Sequence, residues 1–154
     1  MLLTDIRFCT KNDLTQVLEI DRTSPYPWPE RLVKQDLLVG DARFSYLGAF
    51  APAVNDKLLG YAVWGDDKGK ALLMNLVVLP EYQRRGIGAQ LVVAVAECGI
   101  NLGFSTLILR ARASNFAALS LYYGLGFKID ETQNNFYSNG DVAQHMSVKL
   151  PLKF

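Results

Sequence analysis

The chain has 154 residues, half of them hydrophobic and a fifth charged, with a formal net charge of +1. This length fits one domain over residues 1–154, and the composition supports an ordinary packed core. A near-neutral charge argues against nucleic acid as the main partner, because such proteins carry a strongly basic face. No apolar run reaches the roughly 18 residues of a membrane-spanning helix, so we expect no membrane partner.

The N-terminal residues and the two cysteines indicate a cytoplasmic protein. Asp5 and Arg7 interrupt the first residues, which therefore lack the apolar core of a signal peptide. Cys9 and Cys98 have no metal-ligand spacing, so they predict buried thiols in a reducing compartment and no metal site. The expected assembly is a monomer or a weak homodimer.

The first third of the chain predicts a strand and two helices. Ile6 and Phe8 alternate with charged neighbours, as in a short strand. A helix follows, capped near Thr10, and residues at helical spacing continue it: Leu14, Val17, Leu18 and Asp21. Three prolines make Ser24–Glu30 a loop, and the second helix is predicted over 30–38.

The rest of the chain predicts six strands and two helices. The strands are predicted over 43–50, 58–65, 71–79, 105–112, 127–137 and 143–152, and the helices over 89–102 and 116–125. The order β-α-α-β-β-β-α-β-α-β-β predicts an α/β (α+β) fold. In this fold a mixed sheet of about seven strands has about four helices on its faces.

The stretch from Gln83 to Ala89 joins a predicted strand to a predicted helix and contains two arginines and two spaced glycines. A helix N-terminus has backbone N–H groups without intrahelical partners and carries partial positive charge. Glycine lets the backbone approach a ligand, and Arg84 and Arg85 add charge. The stretch therefore predicts a pocket for a pyrophosphate-like anion. It is neither a Walker loop, which needs GK[ST], nor the GxGxxG dinucleotide fingerprint, because Leu91 replaces the last glycine.

The spacing Q-x-x-G-x-G at Gln83, Gly86 and Gly88 resembles the acyl-CoA signature of the Gcn5-related N-acetyltransferase (GNAT) superfamily. Arg110–Lys128 resembles the family's next strand and helix. The segments PYPWPE and NNFYSNGD resemble segments of the RimI group, the ribosomal-protein-alanine N-acetyltransferases. The resemblance covers essentially the whole chain. It implies a single-domain GNAT fold with a mostly antiparallel sheet, and direct transfer of acetyl from acetyl-CoA to a primary amine.

The resemblance also assigns site residues. Leu76, Val77 and Val78 correspond to the family's splayed strand, which pairs with the pantetheine arm of acetyl-CoA. Asn115 matches an asparagine that contacts the cofactor, and Tyr122 matches a tyrosine that gives a proton to the departing thiolate. A tyrosine on an apolar helix face also fits core packing. The cofactor residues implied are Leu76, Val77, Val78, Gln83, Arg84, Arg85, Gly86, Ile87, Gly88, Ala89, Asn115 and Tyr122.

The sequence identifies no general base. RimI-group enzymes carry a glutamate on the strand before the A-S-N motif, where this chain has Arg110, and arginine stays protonated in proteins. Glu81, Asp141 and His145 are alternative bases that would act through water. A guanidinium prefers carboxylates or phosphates, so Arg110 is also a candidate contact for the acceptor.

Two loops are expected to line the acceptor side. By resemblance these are Tyr26–Glu30, between the first two helices, and Asn135–Asp141, in the last hairpin. The predicted acceptor-binding residues are Tyr26, Trp28, Arg110, Phe136 and Tyr137. The favoured acceptor is the α-amine of a protein N-terminus, such as that of a ribosomal protein. Two alternatives remain open, namely a small-molecule amine as the acceptor and a non-catalytic module that senses acetyl-CoA.

Overall fold

A computed structural model describes residues 1–39 and 43–153. The described helices are α1 (Leu14–Asp21), α2 (Glu30–Val39), α3 (Ile87–Asn101) and α4 (Phe116–Gly124). The described strands are β1 (Asp5–Phe8), β2 (Phe44–Ala51), β3 (Lys57–Asp67), β4 (Lys70–Val78), β5 (Thr106–Arg112), β6 (Lys128–Gln133) and β7 (Ala143–Lys149). Their order along the chain is the predicted one.

The strands form a 7-stranded sheet in the order β1-β2-β3-β4-β5-β7-β6. Antiparallel pairs join β1 to β2, β2 to β3, β5 to β7 and β6 to β7. Strand β4 runs parallel to β5 where Ala71–Leu73 pairs with Leu107–Leu109. This mixed, mostly antiparallel sheet with its helices confirms the predicted fold class. Strand β6 is shorter than predicted, because Asn135 adopts a left-handed φ of 54° and turns the chain into the hairpin loop.

The helix boundaries follow the local capping signals. Thr10 caps a 3-10 turn over Lys11–Asp13 with a capping box, and α1 continues directly from that turn. Helix α3 begins immediately after Gly86, which has a φ of +83°. It ends two residues before Gly103, which has a φ of +89°. The local chemistry of these residues therefore sets where the cofactor-side helix starts and stops.

The described residues form two compact units. The first comprises Met1–Gly65 and Asn75–Val95, and the second comprises Asp66–Met74 and the residues from Ala96 onward. The core of the first unit includes Val17, Ile20, Val33, Tyr61 and Leu91, and that of the second includes Leu107, Leu109, Phe127, Ala143 and Met146. None of the described helices combines the length and the apolar character needed to cross a bilayer. The expected single domain over 1–154 stays a prediction.

Candidate active site

Each compact unit carries part of the predicted site. The first contains Tyr26, Trp28, Leu76–Val78 and Gln83–Ala89. The second contains Arg110, Asn115, Tyr122, Phe136 and Tyr137. The residues predicted for the anion loop and for the cofactor strand therefore share one unit, and the predicted proton donor lies in the other.

The loop Gln83–Ala89 presents unpaired backbone N–H groups. Arg84 and Gly86 both have left-handed backbone conformations, with φ of +64° and +83°. Such a conformation is uncommon for arginine. Within the described part of the chain, the N–H groups of Arg84, Arg85 and Gly86 donate to no other residue. The helix α3 N-terminus follows at once and adds its own N–H groups.

The arginine side chains of this loop are available for a ligand. Arg84 and Arg85 are exposed. Neither forms an ion pair with any residue that the structure describes. The Arg85 guanidinium carbon lies 5.3 Å from the centroid of the Tyr82 ring, and the Lys57 ammonium lies 5.8 Å from the same centroid. Free cations beside unpaired N–H groups fit a pyrophosphate.

The N-terminal residues fix the conformation of this loop. The Leu2 N–H donates to the Arg85 carbonyl oxygen at 2.9 Å. Gln90, in the first turn of α3, donates from Nε2 to the Leu2 carbonyl oxygen at 2.7 Å. Its Oε1 accepts from the Thr4 hydroxyl at 2.8 Å. The sequence reasoning did not identify Gln90 as a site residue, because its partners lie more than 80 positions away in the chain.

The end of strand β4 has backbone groups that side chains satisfy. The Leu76 N–H donates to Asn75 Oδ1 at 3.0 Å, and Gln83 Nε2 donates to the Val78 carbonyl oxygen at 3.1 Å. Leu76 and Val78 are partly exposed, whereas Val77 between them is buried. An extended ligand can add to such a strand edge by replacing the two amide side chains. These residues therefore fit the pantetheine arm that the resemblance assigns to them.

A buried carboxylate holds the first predicted acceptor loop. Asp21 is only 2% exposed, and its Oδ2 accepts from the Trp28 backbone N–H at 2.9 Å. Its Oδ1 accepts from the Tyr61 hydroxyl at 2.8 Å. Burial, reinforced by the negative charge of Asp21, raises the pKa of Tyr61, so this hydroxyl stays a donor at physiological pH. The sequence signal for this role was an acidic residue at helical spacing with Val17 and Leu18, on the apolar face of α1.

The rest of that loop is fixed near its ends. The Tyr26 N–H donates to Ser24 Oγ at 3.2 Å, and the Tyr26 side chain is about half exposed. Glu30, at the start of α2, pairs with Arg22 at 2.7 Å. The hydrogen bond from Arg22 lowers the pKa of Glu30, so Glu30 stays ionised at neutral pH. Of the two predicted aromatic residues, Tyr26 is therefore the more exposed, and Trp28 is the one whose backbone bonds to the buried Asp21.

In the second unit, Asn115 and Tyr122 lie on helix α4. Asn115 caps the helix by accepting the Ala118 N–H on Oδ1 at 3.2 Å, which leaves its Nδ2 group for another partner. Tyr122 is 7% exposed and packs against Phe127, with ring centroids 5.6 Å apart. Its hydroxyl bonds to no described residue, yet it is not a polar atom sealed from solvent. Burial raises the pKa of Tyr122, so the hydroxyl stays protonated, whereas Tyr123 is half exposed.

Arg110 occupies the position where the RimI group has glutamate, and its charge is only partly neutralised. Its Nη2 lies 3.8 Å from Asp67 Oδ2, and both side chains remain about a third exposed, at 37% and 34%. The guanidinium carbon lies 5.9 Å from the centroid of the Phe136 ring. An ion pair this long and this exposed is weak, so the guanidinium keeps donors for a carboxylate of a ligand.

The last hairpin is held by contacts among its own side chains and with Arg112 at the end of β5. Arg112 Nη1 pairs with Asp141 Oδ2 at 2.7 Å, and the guanidinium carbon lies 3.9 Å above the Tyr137 ring. The Phe136 ring meets the rings of Tyr137 and His145 edge to face, at centroid distances of 5.1 and 5.3 Å. Phe136 and Tyr137 therefore form an aromatic wall, and its contact with an acceptor stays a prediction.

These contacts bear on the three alternative bases. Asp141 is engaged by Arg112, and His145 Nε2 lies 2.9 Å from Gln133 Oε1. Glu81 is exposed in the 3-10 turn Pro80–Tyr82. Two of the three candidates are therefore already bonded to neighbouring side chains, and none is marked as the base by its surroundings.

A cavity of about 320 Å³ lies elsewhere in the first unit. It is lined by Phe8–Lys11, Asp36, Leu37 and Phe44–Tyr46. No predicted site residue lines it. The candidate site is thus marked by unpaired backbone groups and a strand edge rather than by this enclosed volume.

Comparison with known proteins agrees with these features. A sequence profile of the Acetyltransferase (GNAT) family matches residues 12–127. The [Ribosomal protein bS18]-alanine N-acetyltransferase of Salmonella typhimurium is 31% identical over 136 residues, which cover 88% of each chain. An N-alpha-acetyltransferase of Sulfurisphaera tokodaii is 28% identical and covers 94% of this chain and 92% of its own. The crystal structure of the ribosomal-protein-S18-alanine N-acetyltransferase from Escherichia coli superimposes with a TM-score of 0.83 at 27% identity, covering 99% of this chain and 97% of that one.

The family match includes the anion loop, the cofactor strand, Asn115 and Tyr122, because all of them fall within residues 12–127. The described strand order and the helix count agree with the fold that the resemblance implied. The chain therefore belongs to the acetyltransferase (GNAT) family and is an acyltransferase of the N-acetyltransferase class, with acetyl-CoA as its acyl donor.

Proposed function

We propose that this acetyltransferase acts on the α-amine of a protein N-terminus. The observation that carries the proposal is the similarity, over nearly nine-tenths of the chain, to enzymes named for the alanine N-terminus of ribosomal protein bS18. An α-amine has a pKa near 8, so a useful fraction of it is neutral at physiological pH. Such an acceptor reduces the need for a strong base, and this chain has Arg110 where the RimI group has glutamate.

The residues proposed to hold the donor are those that the resemblance assigns to it. Acetyl-CoA supplies the acetyl thioester. Gln83–Ala89 would bind its pyrophosphate through the unpaired N–H groups and the two arginines. The β4 edge at Leu76 and Val78 would bind the pantetheine arm through the backbone, with Ile87, Gly88 and Ala89 extending the loop contacts and Val77 supporting the edge from the core. Asn115 would offer its free Nδ2 group to the same arm.

Tyr122 is the proposed catalytic residue. As the amine nitrogen bonds to the acetyl carbon, the carbon–sulfur bond breaks and the sulfur needs a proton. The Tyr122 hydroxyl is protonated and forms no hydrogen bond to a described residue, so it would be available to donate to the sulfur. The proton lost by the amine passes to water. Tyr26, Trp28, Phe136, Tyr137 and Arg110 are proposed to contact the acceptor.

Thiol release from acetyl-CoA tests this proposal. The panel is an Ala-starting peptide, the same peptide with a blocked N-terminus and an internal lysine, and a set of small amines. Turnover with the free Ala peptide but not with the blocked one is the expected result. Turnover with small amines alone would contradict the proposal.

A small-molecule amine is the second candidate, and Arg110 favours it. The weakly paired guanidinium could bind the carboxylate of an amino acid that carries the reacting amine. In that case Arg110→Gln should raise the KM of a carboxylate-bearing amine and leave that of a matched amine without a carboxylate unchanged. Binding of acetyl-CoA without turnover on any amine would instead indicate the sensor module.

We also propose that residues 1–154 form one N-acetyltransferase domain, located in the cytoplasm as a monomer or weak homodimer. The two separate thiols and the absence of a long apolar helix in the described residues support a reducing, water-filled compartment. Light scattering after size-exclusion chromatography would measure the assembly.

A further inference from the structure

We propose that Asp21 is a positioning residue for the acceptor, which holds the loop Ser24–Glu30 in place through the Trp28 backbone and connects it to the cofactor strand through Tyr61. The inference rests on the proposed function, since it takes this loop as the acceptor-binding one. It assigns a role to a residue that touches neither substrate and acts through Trp28.

The Asp21 carboxylate is buried without a counter-ion. No lysine, arginine or histidine in the described ranges pairs with it, and its two bonds come from neutral donors, the Trp28 N–H and the Tyr61 hydroxyl. A buried carboxylate is costly unless donors satisfy it, and hydrogen bonds to a charged group are stronger than neutral ones. Each donor is therefore held firmly at its own carboxylate oxygen, and moving the Trp28 backbone away would leave a buried carboxylate oxygen without its donor.

The same network reaches the cofactor strand. Asn75 Nδ2 donates to the Tyr61 hydroxyl oxygen at 3.4 Å, and Asn75 Oδ1 accepts from the Leu76 N–H at 3.0 Å. A continuous path of hydrogen bonds thus runs from Trp28 through Asp21, Tyr61 and Asn75 to Leu76, all within one compact unit. Trp28 belongs to the proposed acceptor loop, and Leu76 belongs to the proposed cofactor strand.

In this arrangement the proposed acceptor loop and the proposed cofactor strand are both linked to one carboxylate by hydrogen bonds. Acyl transfer needs the amine nitrogen and the thioester carbon at contact distance, and small misplacements cost large factors in rate. Side chains that lock a substrate-binding loop against a rigid strand supply that precision. Loss of the Asp21–Trp28 bond should therefore raise the KM for the acceptor more than it changes the affinity for acetyl-CoA.

Asp36 provides a matched control in the same unit. It accepts from the Tyr46 hydroxyl on Oδ2 at 2.8 Å, and the Tyr46 and Tyr61 rings stack with centroids 6.0 Å apart. Asp36 is bonded to a tyrosine in the same way as Asp21, but no loop backbone N–H donates to it among the described residues. A general effect of losing a tyrosine–carboxylate bond would be common to both aspartates, whereas a positioning effect belongs to Asp21.

The experiment compares Asp21→Asn with Asp36→Asn. A carboxamide is uncharged and has one accepting oxygen, so Asp21→Asn weakens the Trp28 bond if its oxygen faces the Trp28 N–H and breaks the bond if its NH2 group does. We expect the KM for the acceptor peptide to rise about tenfold while the acetyl-CoA affinity stays within about twofold. Hydrogen exchange at the Trp28 amide should accelerate by about tenfold. Asp36→Asn should change neither quantity. Equal effects of the two variants, or an unchanged Trp28 amide in Asp21→Asn, would overturn the proposal.

The exchange measurement separates this proposal from the proposed function. If the wild-type enzyme acetylates no peptide, the proposed acceptor is wrong, and Trp28 exchange still decides whether Asp21 fixes the loop. If Asp21→Asn does not fold, Tyr61→Phe replaces it, with Tyr46→Phe as its control. Tyr61→Phe leaves one carboxylate oxygen without its donor and should loosen the Trp28 amide, whereas Tyr46→Phe should not. A Trp28 amide as protected in Tyr61→Phe as in Tyr46→Phe would count against the network.

Discussion

The loop Gln83–Ala89 and the hairpin that carries Phe136 and Tyr137 hold their polar groups in opposite ways. In the loop, the N–H groups of Arg84, Arg85 and Gly86 donate to no described residue, and the two arginine side chains form no ion pair with one. In the hairpin, Asp141 and the aromatic rings already contact one another and Arg112 of β5. If the loop binds the donor and the hairpin binds the acceptor, as proposed, the donor side is open to an anion of fixed shape and the acceptor side is a preformed wall along which different amine-bearing chains could lie.

This difference also explains what each region reveals about function. A backbone site needs glycines at fixed positions, so it can be recognised in one sequence. A wall of mutually paired side chains depends on residues that are distant in the chain, so it cannot be recognised in one sequence. Variants at the two regions should accordingly affect different kinetic constants.

The largest effect is expected at the proton donor. Tyr122→Phe should lower kcat by roughly a hundredfold while the acetyl-CoA affinity is kept, because general acid catalysis contributes factors of about that size. Tyr123→Phe is the matched control on the same helix, and its half-exposed side chain predicts near-normal turnover. Steady-state kinetics together with calorimetric titration would measure both. Equal turnover in the two variants would show that Tyr122 only packs in the core and donates no proton.

The pH dependence adds a second check on Tyr122. Burial raises the pKa of this hydroxyl, and a group with a raised pKa remains protonated below it. The proton donor is therefore available throughout the neutral range. The kcat profiles of wild type and Tyr122→Phe should run parallel between about pH 6 and 9. A basic limb that disappears in the variant would show that Tyr122 loses its proton within this range, which would contradict the raised pKa.

The next largest effect should appear on the donor side. Gly86→Ala places a side chain at a φ of +83°, in a loop whose backbone is proposed to approach the pyrophosphate, and should weaken acetyl-CoA binding by about thirtyfold. Gly103→Ala meets the same backbone strain at a φ of +89° with no atom within 4 Å, away from the site. Both variants should lose similar stability, and only Gly86→Ala should lose affinity. Unchanged coenzyme A affinity in calorimetry would remove the loop from the site.

The smallest effects concern stability on the acceptor side. Arg112 is 16% exposed and pairs closely with Asp141, so Arg112→Gln should lower the free energy of unfolding by about 1–3 kcal/mol. Arg110 pairs with Asp67 at 3.8 Å and is more exposed, so Arg110→Gln should change the free energy of unfolding by less than about 0.5 kcal/mol. Denaturant titration would compare the two. A larger loss for Arg110→Gln would show that Arg110 belongs to the supporting network of the wall and is not available to a ligand.

Hydrophobic periodicity and capping residues predicted the order of elements, because each depends on neighbours in the chain. The glycine spacing predicted the anion loop for the same reason. The left-handed Arg84 could not be predicted, since nothing in its residue type favours that conformation. The Gln90 anchor and the Asp67–Arg110 pair arise from contacts between distant segments, which a single sequence does not reveal.

The role of Asp21 could be predicted from the sequence only in part. Its helical spacing with Val17 and Leu18 placed a carboxylate on the buried face of α1, which is a recognisable signal. Its partners, Tyr61 and the Trp28 backbone, became known only from the fold. A charged residue at a core position of a helix is therefore a reason to look for a loop that depends on it.

The amide side chains at the β4 edge have a thermodynamic consequence. Asn75 and Gln83 already bond to the Leu76 N–H and the Val78 carbonyl oxygen, so a pantetheine arm that binds there exchanges hydrogen bonds and gains few. Most of the affinity for acetyl-CoA must then come from the charged pyrophosphate end. Coulombic attraction is screened by salt, whereas hydrogen-bond exchange is not. The affinity for acetyl-CoA should therefore fall steeply as ionic strength rises. The affinity for the acceptor should depend less on ionic strength.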